Sequence, residues 1–254
     1  MAAVETLIRQ PAPPAAGLNL DRVRVLTQPA SPPARLVALA APQSVGAEQF
    51  RRLAVGLRHV RAQRRLRTVL VTSPAPGEGK SLSAANLAFT LARPGGERVL
   101  LLDGDLHRPA VLARLGVKHR TGLADWLEGR AELDQCLARW PELPLWVLPA
   151  AKAAGVPLEL LQAQPPAQIL PMLESHFDWI VLDSPPLLPM ADAAHWARAA
   201  DGVLLVVRAQ RTRRADLLRS LRQLEREQWL GVIVNCSRAP DHRYYSHYYP
   251  HPGD

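Results

Sequence analysis

Outside residues 244–249 the chain has no tyrosine; its four phenols, Tyr244, Tyr245, Tyr248 and Tyr249, sit together in DHRYYSHYYP. Lysine is almost as scarce, at three residues against 28 arginines. Cysteine is limited to Cys136 and Cys236, which are too far apart for a CxxC metal or redox site and read most simply as small buried apolar residues. No apolar run reaches the length of a transmembrane helix, so no segment is expected to span a bilayer. The opening MAAVETLIRQPAPPAAG carries Glu5 and prolines where a secretory signal needs an apolar stretch, which points to a cytoplasmic protein.

What is present fits one α/β domain, or one domain with an irregular arm: 254 residues, 48% of them hydrophobic. The formal charge is +8, and seven arginines fall between Arg51 and Arg67. Such a patch suits nucleic acid, an anionic membrane face, or simply a solvated helix surface. No helix-turn-helix, zinc finger or aromatic-basic interleaving accompanies it, so nucleic acid is not expected as a partner.

Residues 1–43 contain seven prolines and are expected to be largely disordered, with a short ordered piece near Leu18–Leu26. Residues 44–238 are expected to form the folded domain and 239–254 a flexible tail. From Ala47 to about Gln63, Phe50, Leu53, Ala54, Leu57 and Val60 recur at helical spacing, with Ser44 as N-cap. Beyond Arg67 a strand, turn, helix rhythm repeats. Six apolar strands are predicted, at 68–73, 98–105, 143–149, 177–186, 201–209 and 230–235, with helices at 82–92 and 212–228 among those between them. Runs so uniformly apolar are expected to be buried on both faces, as in a mostly parallel sheet flanked by helices.

The first strand enters SPAPGEGKS (73–81). Gly77 and Gly79 permit backbone turns closed to other residues, so that amides converge on an anion at a helix start. Lys80 supplies a point charge for terminal phosphates, and the Ser81 hydroxyl suits Mg²⁺. The amides around Gly77, Glu78, Gly79, Lys80, Ser81 and Leu82 are the expected cradle. The strict GxxxxGK[ST] form requires Gly at position 74, where Pro74 stands. Lys80→Met is expected to remove a solvent-facing charge and spare the fold. In VLLLDGDLHRP (99–109) the carboxylates of Asp103 and Asp105 stand at the tip of a strand expected beside the phosphate-loop strand. His107 and Arg108 follow them, and Arg108 is read either as closing on a phosphate or an incoming substrate, or as one half of a surface salt bridge. In IVLDSPPLL (180–188) Asp183 ends another apolar run before a Pro-Pro stop. Ligands of open α/β sheets bind at this end of the strands. A hydroxyl, carboxylates and phosphate oxygens suit Mg²⁺.

SPAPGEGKS, LLLDGDLHRP and IVLDSPP, followed by the tyrosine cluster, resemble the bacterial tyrosine autokinases of exopolysaccharide and capsule assembly, in their stand-alone, chain-length-determinant-associated form. The resemblance covers residues 44–249. It implies a P-loop NTPase fold of the MinD/ParA type, ATP and Mg²⁺ as cofactors, and phosphoryl transfer to tyrosine. It gives Lys80 and Ser81 the Walker A roles, Asp103 and Asp105 metal binding and help in deprotonating tyrosine, Asp183 the Walker B role, and Asn235 a place against adenine. The tail tyrosines become phosphoacceptors for a neighbouring copy. Of the ExxRxxR motif used in self-assembly, Glu48 and Arg51 match and Ala54 does not. A membrane chain-length regulator as activator, a tyrosine phosphatase, and recruitment to the inner face of the plasma membrane complete what it implies. Two rival readings are a MinD/ParA-type switch ATPase, whose additional loop lysine is missing from Ser73–Pro76, and a nucleotide-binding regulatory subunit inactive alone.

Overall fold

The computed structural model describes residues 18–93 and 95–237. Eight strands form one sheet in the order β1-β4-β5-β3-β6-β2-β7-β8. They are β1 (Arg24–Val25), β2 (Thr68–Thr72), β3 (Val99–Asp103), β4 (Ala138–Arg139), β5 (Leu145–Leu148), β6 (Trp179–Asp183), β7 (Gly202–Arg208) and β8 (Trp229–Asn235). All neighbours run parallel except β4 and β5. The helices are α1 (Val37–Ala40), α2 (Val45–Gln63), α3 (Lys80–Leu91), α4 (Val111–Leu115), α5 (Leu123–Leu127), α6 (Leu133–Cys136), α7 (Pro157–Ala163), α8 (Pro166–Glu174), α9 (Asp192–Ala199) and α10 (Arg214–Leu221).

The sheet is buried because successive side chains feed two cores. Leu70, Leu100, Leu102, Ile180, Leu182 and Leu205 face α5 to α10, packing around Trp126 and Trp196. Val69, Val71, Leu101, Val181, Leu204 and Val206 face α1 to α4, packing around Phe89 and Trp140, whose rings meet edge to face at 4.8 Å. The period-two alternation of a strand thus serves both layers at once.

The six predicted strands are present, and β1 and β4 add two residues each. Three differences have physical causes. β8 is an edge strand, so Trp229, Val232 and Val234 are exposed rather than buried on both faces. The helix expected over 212–228 ends at Leu221, after which a 3-10 turn at Arg226–Gln228 leads into β8. Residues 18–43, expected to be largely disordered apart from a short ordered piece, carry short regular elements between irregular stretches. The ordered piece near Leu18–Leu26 carries β1, which pairs with β4, and Leu36 and Ala38 are buried beyond it. The prolines lie between these elements, where no ladder bond is needed. Residues 1–17 and the tail after 237 lie outside the described residues. Cys136 is buried as expected and Cys236 is exposed.

The predicted α2 begins at Val45, with the Ser44 hydroxyl accepting from the Ala47 amide at 3.2 Å. Much of its basic face pairs with the body of the domain. Arg58 and Arg61 meet Glu97 at 2.7 and 3.2 Å, while Arg65, just past the helix, reaches Glu174 and Asp201.

Asp201 also aligns the start of β2. Its carboxylate accepts from the Arg67 and Thr68 amides at 2.7 and 3.0 Å. Burial pushes this carboxyl up, yet those amides and the Arg65 guanidinium hold it below its ordinary 3.8. A depressed carboxyl stabilises the fold above the unfolded value and loses that contribution as pH falls through the folded one. Asp201→Ala is therefore expected to lower stability by about 1–2 kcal/mol at pH 7. Urea melts of the two proteins should converge in acid below the carboxylate range, whereas a pH-independent difference would show that charge plays no part.

Candidate nucleotide and phosphoryl-transfer site

The turn from β2 to α3 follows from two glycines. Gly77 and Gly79 hold φ of 82° and 100°, the left-handed region, which turns the chain into α3 at Lys80. At Gly79 there is a second constraint. An added Cβ would lie 2.0 Å from the Asn235 amide nitrogen. That amide donates to the Glu78 carbonyl at 2.9 Å, so β8 clamps the loop from the far side of β7. The Glu78 side chain makes a second clamp, accepting from the Thr212 hydroxyl at 2.6 Å. Burial raises the Glu78 carboxyl, and the bonds from Thr212 and the Ala75 amide oppose that rise.

β6 lies between β2 and β3, so the strand bearing Asp103 is one place further from the phosphate loop than expected. The acids converge all the same. Asp103 and Asp183 are register partners across β3 and β6, and the loop after Asp103 brings Asp105 back to Lys80. The Lys80 ammonium lies 2.9 Å from Asp105 Oδ2 and 3.4 Å from Asp183 Oδ1. Lys80 is only 9% exposed, which corrects the expectation of a solvent-facing charge. Burial opposes its protonation, but Asp183 and Asp105 outweigh that and raise its pKa.

The two acids of the DGD turn are used differently. Asp105 faces Lys80 through one oxygen and accepts from the Arg108 amide at 3.0 Å through the other. Asp103 spends both oxygens on backbone, accepting from Asp105, Ala110 and Val111 amides at 3.2, 3.1 and 3.1 Å. It thereby folds the loop that presents Asp105. Burial and the neighbouring Asp183 charge raise the Asp103 carboxyl to about 7 against the pull of those amides. Burial likewise raises Asp183 to about 6 against the attraction of Lys80. Asp183 Oδ2 is buried with no hydrogen-bond partner among the described residues. An unpaired carboxylate oxygen there suits a hydrated cation, as do the adjacent Ser81 hydroxyl and Asp105.

Lys80, Ser81 and Asp105 border a cavity of about 1070 Å³, whereas Asp103 and Asp183, 1% and 0% exposed, do not line it. Gly77, Gly79 to Ser83 and Asn235 line it together with Asp105, His107 and Arg108. His107 is held by Asp192 at 2.6 Å. Arg35, Val37 and Phe50 also line it and were missed from sequence. The first two belong to the proline-rich arm, which Asn86 of α3 secures by accepting from the Ala38 amide at 2.9 Å and donating to the Arg35 carbonyl at 3.1 Å. No motif marks that contact.

Glu48 and Arg51 are joined within the chain at 2.7 Å, and Arg51 also donates to the Pro42 carbonyl at 2.6 Å. Ala54, at the third motif position, is buried rather than displayed. Tyr244, Tyr245, Tyr248 and Tyr249 lie outside the described residues. No helix among the described residues is long and apolar enough to cross a membrane.

Residues 69–248 match the family model of the CobQ/CobB/MinD/ParA nucleotide binding domain. The tyrosine-protein kinase YwqD of Bacillus subtilis is 30% identical over 215 residues, 84% of this chain and 90% of that protein. The succinoglycan biosynthesis transport protein ExoP of Rhizobium meliloti is 35% identical over 205 residues, covering 78% of this chain but 26% of the longer protein. The kinase domain of the Escherichia coli tyrosine kinase ETK superposes with a TM-score of 0.74 at 25% identity, covering 89% of each chain. A phosphate loop, opposed acids at neighbouring strand tips and this likeness along most of the chain agree: the protein belongs to the bacterial tyrosine kinases built on the CobQ/CobB/MinD/ParA nucleotide-binding domain.

Proposed function

We propose that the chain is an ATP-dependent autokinase that phosphorylates its C-terminal tyrosines in trans and so regulates polysaccharide polymerisation and export. The observation that carries this reading is the meeting of Lys80, Asp105 and Asp183 beside the glycine loop, at the edge of a cavity of nucleotide size. The relatives named for tyrosine kinase activity and for succinoglycan transport support it.

In this reading the amides of Gly77 to Leu82 hold the phosphates, and Lys80 exchanges its carboxylate partners for the terminal phosphate. Asn235, beside the loop, borders the base. Ser81, Asp105 and Asp183 would hold Mg²⁺, which when bound neutralises charge on the phosphates. Asp103 acts by fixing the loop that carries Asp105. A tyrosine hydroxyl titrates near 10 and is a weak nucleophile at neutral pH. Asp105, freed from Lys80, is placed to accept its proton. Glu48 and Arg51 contribute to self-association. A membrane chain-length regulator is the proposed activator, holding the kinase at the inner membrane face, with a tyrosine phosphatase resetting the tail.

Replacing Tyr244, Tyr245, Tyr248 and Tyr249 together by Phe is expected to remove nearly all self-phosphorylation while leaving ATP affinity unchanged. Mass-spectrometric mapping after incubation with Mg·ATP, with and without the regulator's cytoplasmic segment, checks this. Undiminished phosphotyrosine in the quadruple variant contradicts the tail assignment. ATP hydrolysis without phosphotyrosine under both conditions points to a switch ATPase.

A further inference from the structure

Seven large apolar side chains are exposed among the described residues, and four of them, Leu218, Trp229, Val232 and Val234, belong to α10 and β8. Register places the strand residues on one face. Val232 pairs with Leu205 and Trp229 with Val203, and both partners face the core layer on which Leu217 and Leu221 of α10 pack. The exposed side chains of β8 therefore lie on the same side of the sheet as α10, at an edge that no further strand among the described residues covers.

The surroundings are cationic. Residues 208–228 contain seven arginines against Asp216, Glu225 and Glu227, a surplus of four positive charges, half of the chain's +8. Asp216 is paired with Arg219. Arg213, Arg214, Arg222 and Arg226 are exposed and make no side-chain hydrogen bond or ion pair among the described residues. In the crossover from β7 to β8, α10 runs back antiparallel to both strands. Arg213 and Arg214 thus stand near the Val234 end of β8, and Arg222 and Arg226 near the Trp229 end.

We propose that this face of α10 and β8 rests directly on an anionic lipid bilayer. Trp229 sits at headgroup depth, the valines and Leu218 contact the acyl boundary, and the unpaired arginines meet lipid phosphates. Charge complementarity selects this occupant. An apolar strip with an indole at one end and unneutralised guanidinium groups along its length matches a negative interface, whereas a self-complementary contact would set these arginines against each other. The site is separate from the nucleotide cavity and needs no nucleotide.

The structure supplies its own reporter. Trp126, Trp140, Trp146, Trp179 and Trp196 are at most 6% exposed, while Trp229 is 42% exposed. The full-length protein is mixed with vesicles of phosphatidylglycerol in phosphatidylcholine, or of phosphatidylcholine alone, some carrying brominated acyl chains. Expected are sedimentation with the anionic vesicles only, weakening with salt, and bromine quenching that disappears in Trp229→Phe. Arg214→Glu with Arg222→Glu should weaken binding by at least about 25-fold, at about fivefold per arginine removed, with unchanged thermal melts. Arg24→Glu, on the opposite edge strand, should leave binding as it was. Equal binding to both vesicle types, no loss in the double arginine variant, or binding without Trp229 quenching overturns the proposal. So does a dimer that Val232→Ser dissociates in a protein that ignores vesicles, since the face would then belong to a second copy.

Discussion

Lys80→Met is expected to abolish tyrosine phosphorylation, with turnover falling by about a thousandfold, and also to destabilise the protein. The first effect follows from losing the only lysine beside the phosphate loop. The second follows from its burial between Asp105 and Asp183. Methionine fills the volume but leaves two buried carboxylates facing each other without a cation, and breaking a buried pair in this way costs about 3 kcal/mol. The loss depends on pH. The Asp183 carboxyl already stands near 6, and removing the ammonium beside it moves it higher. A carboxyl whose folded pKa is raised binds its proton more tightly in the folded state, so its destabilising effect grows as pH rises through the folded value and disappears below the unfolded one. The variant should match the parent in thermal stability near pH 4 and fall behind it by pH 8. Lys80→Met combined with Asp183→Asn should regain stability without regaining activity. Equal melting temperatures at pH 8 would show that the ion pairs add nothing net, and retained phosphorylation would remove Lys80 from the chemistry.

Gly79→Ala is expected to weaken ATP binding by about 100-fold while leaving most of the fold in place. Two independent costs meet at this position. The backbone sits at φ 100°, where a Cβ is strained by about 1–2 kcal/mol. The new methyl would also displace the Asn235 side chain, 2.0 Å away, and break its bond to the Glu78 carbonyl. Asn235→Ala removes the clash and leaves the strain, so the double variant should recover part of the loss. Gly77→Ala provides a comparison, with a similar φ of 82° but nothing within 4 Å of the new atom. It should be the milder of the two in a titration with a fluorescent nucleotide. Equal losses at the two glycines would mean that the contact with Asn235 does not shape the loop.

The paired glycines, Lys80 and Ser81 are recognisable in the sequence because a phosphate cradle needs those types at that spacing, and the apolar runs before Asp103 and Asp183 mark buried strands ending in acids. The six long strands are legible for the same reason. β1 and β4 are not, because two residues carry no periodicity. The bonds from Asn86 to the arm are equally silent, since they join residues about fifty positions apart in a proline-rich context. Nothing in GEGKS says that its lysine is buried; that depends on β6 separating β2 from β3 and on Asp105 folding back toward it. The division of labour between Asp103 and Asp105 has the same origin, because DGD presents two equivalent acids until the Ala110 and Val111 amides claim one of them.

In the proposed mechanism nucleotide phosphates rest on the amides of Gly77 to Leu82 and draw Lys80 away from its carboxylates. A crystal structure of the full chain with Mg²⁺ and a non-hydrolysable ATP analogue tests it most directly. Expected are phosphates on those amides, the Lys80 ammonium on the terminal phosphate, and its 2.9 Å contact with Asp105 broken. An analogue bound elsewhere, with Lys80 still paired to Asp105 and Asp183, would contradict it.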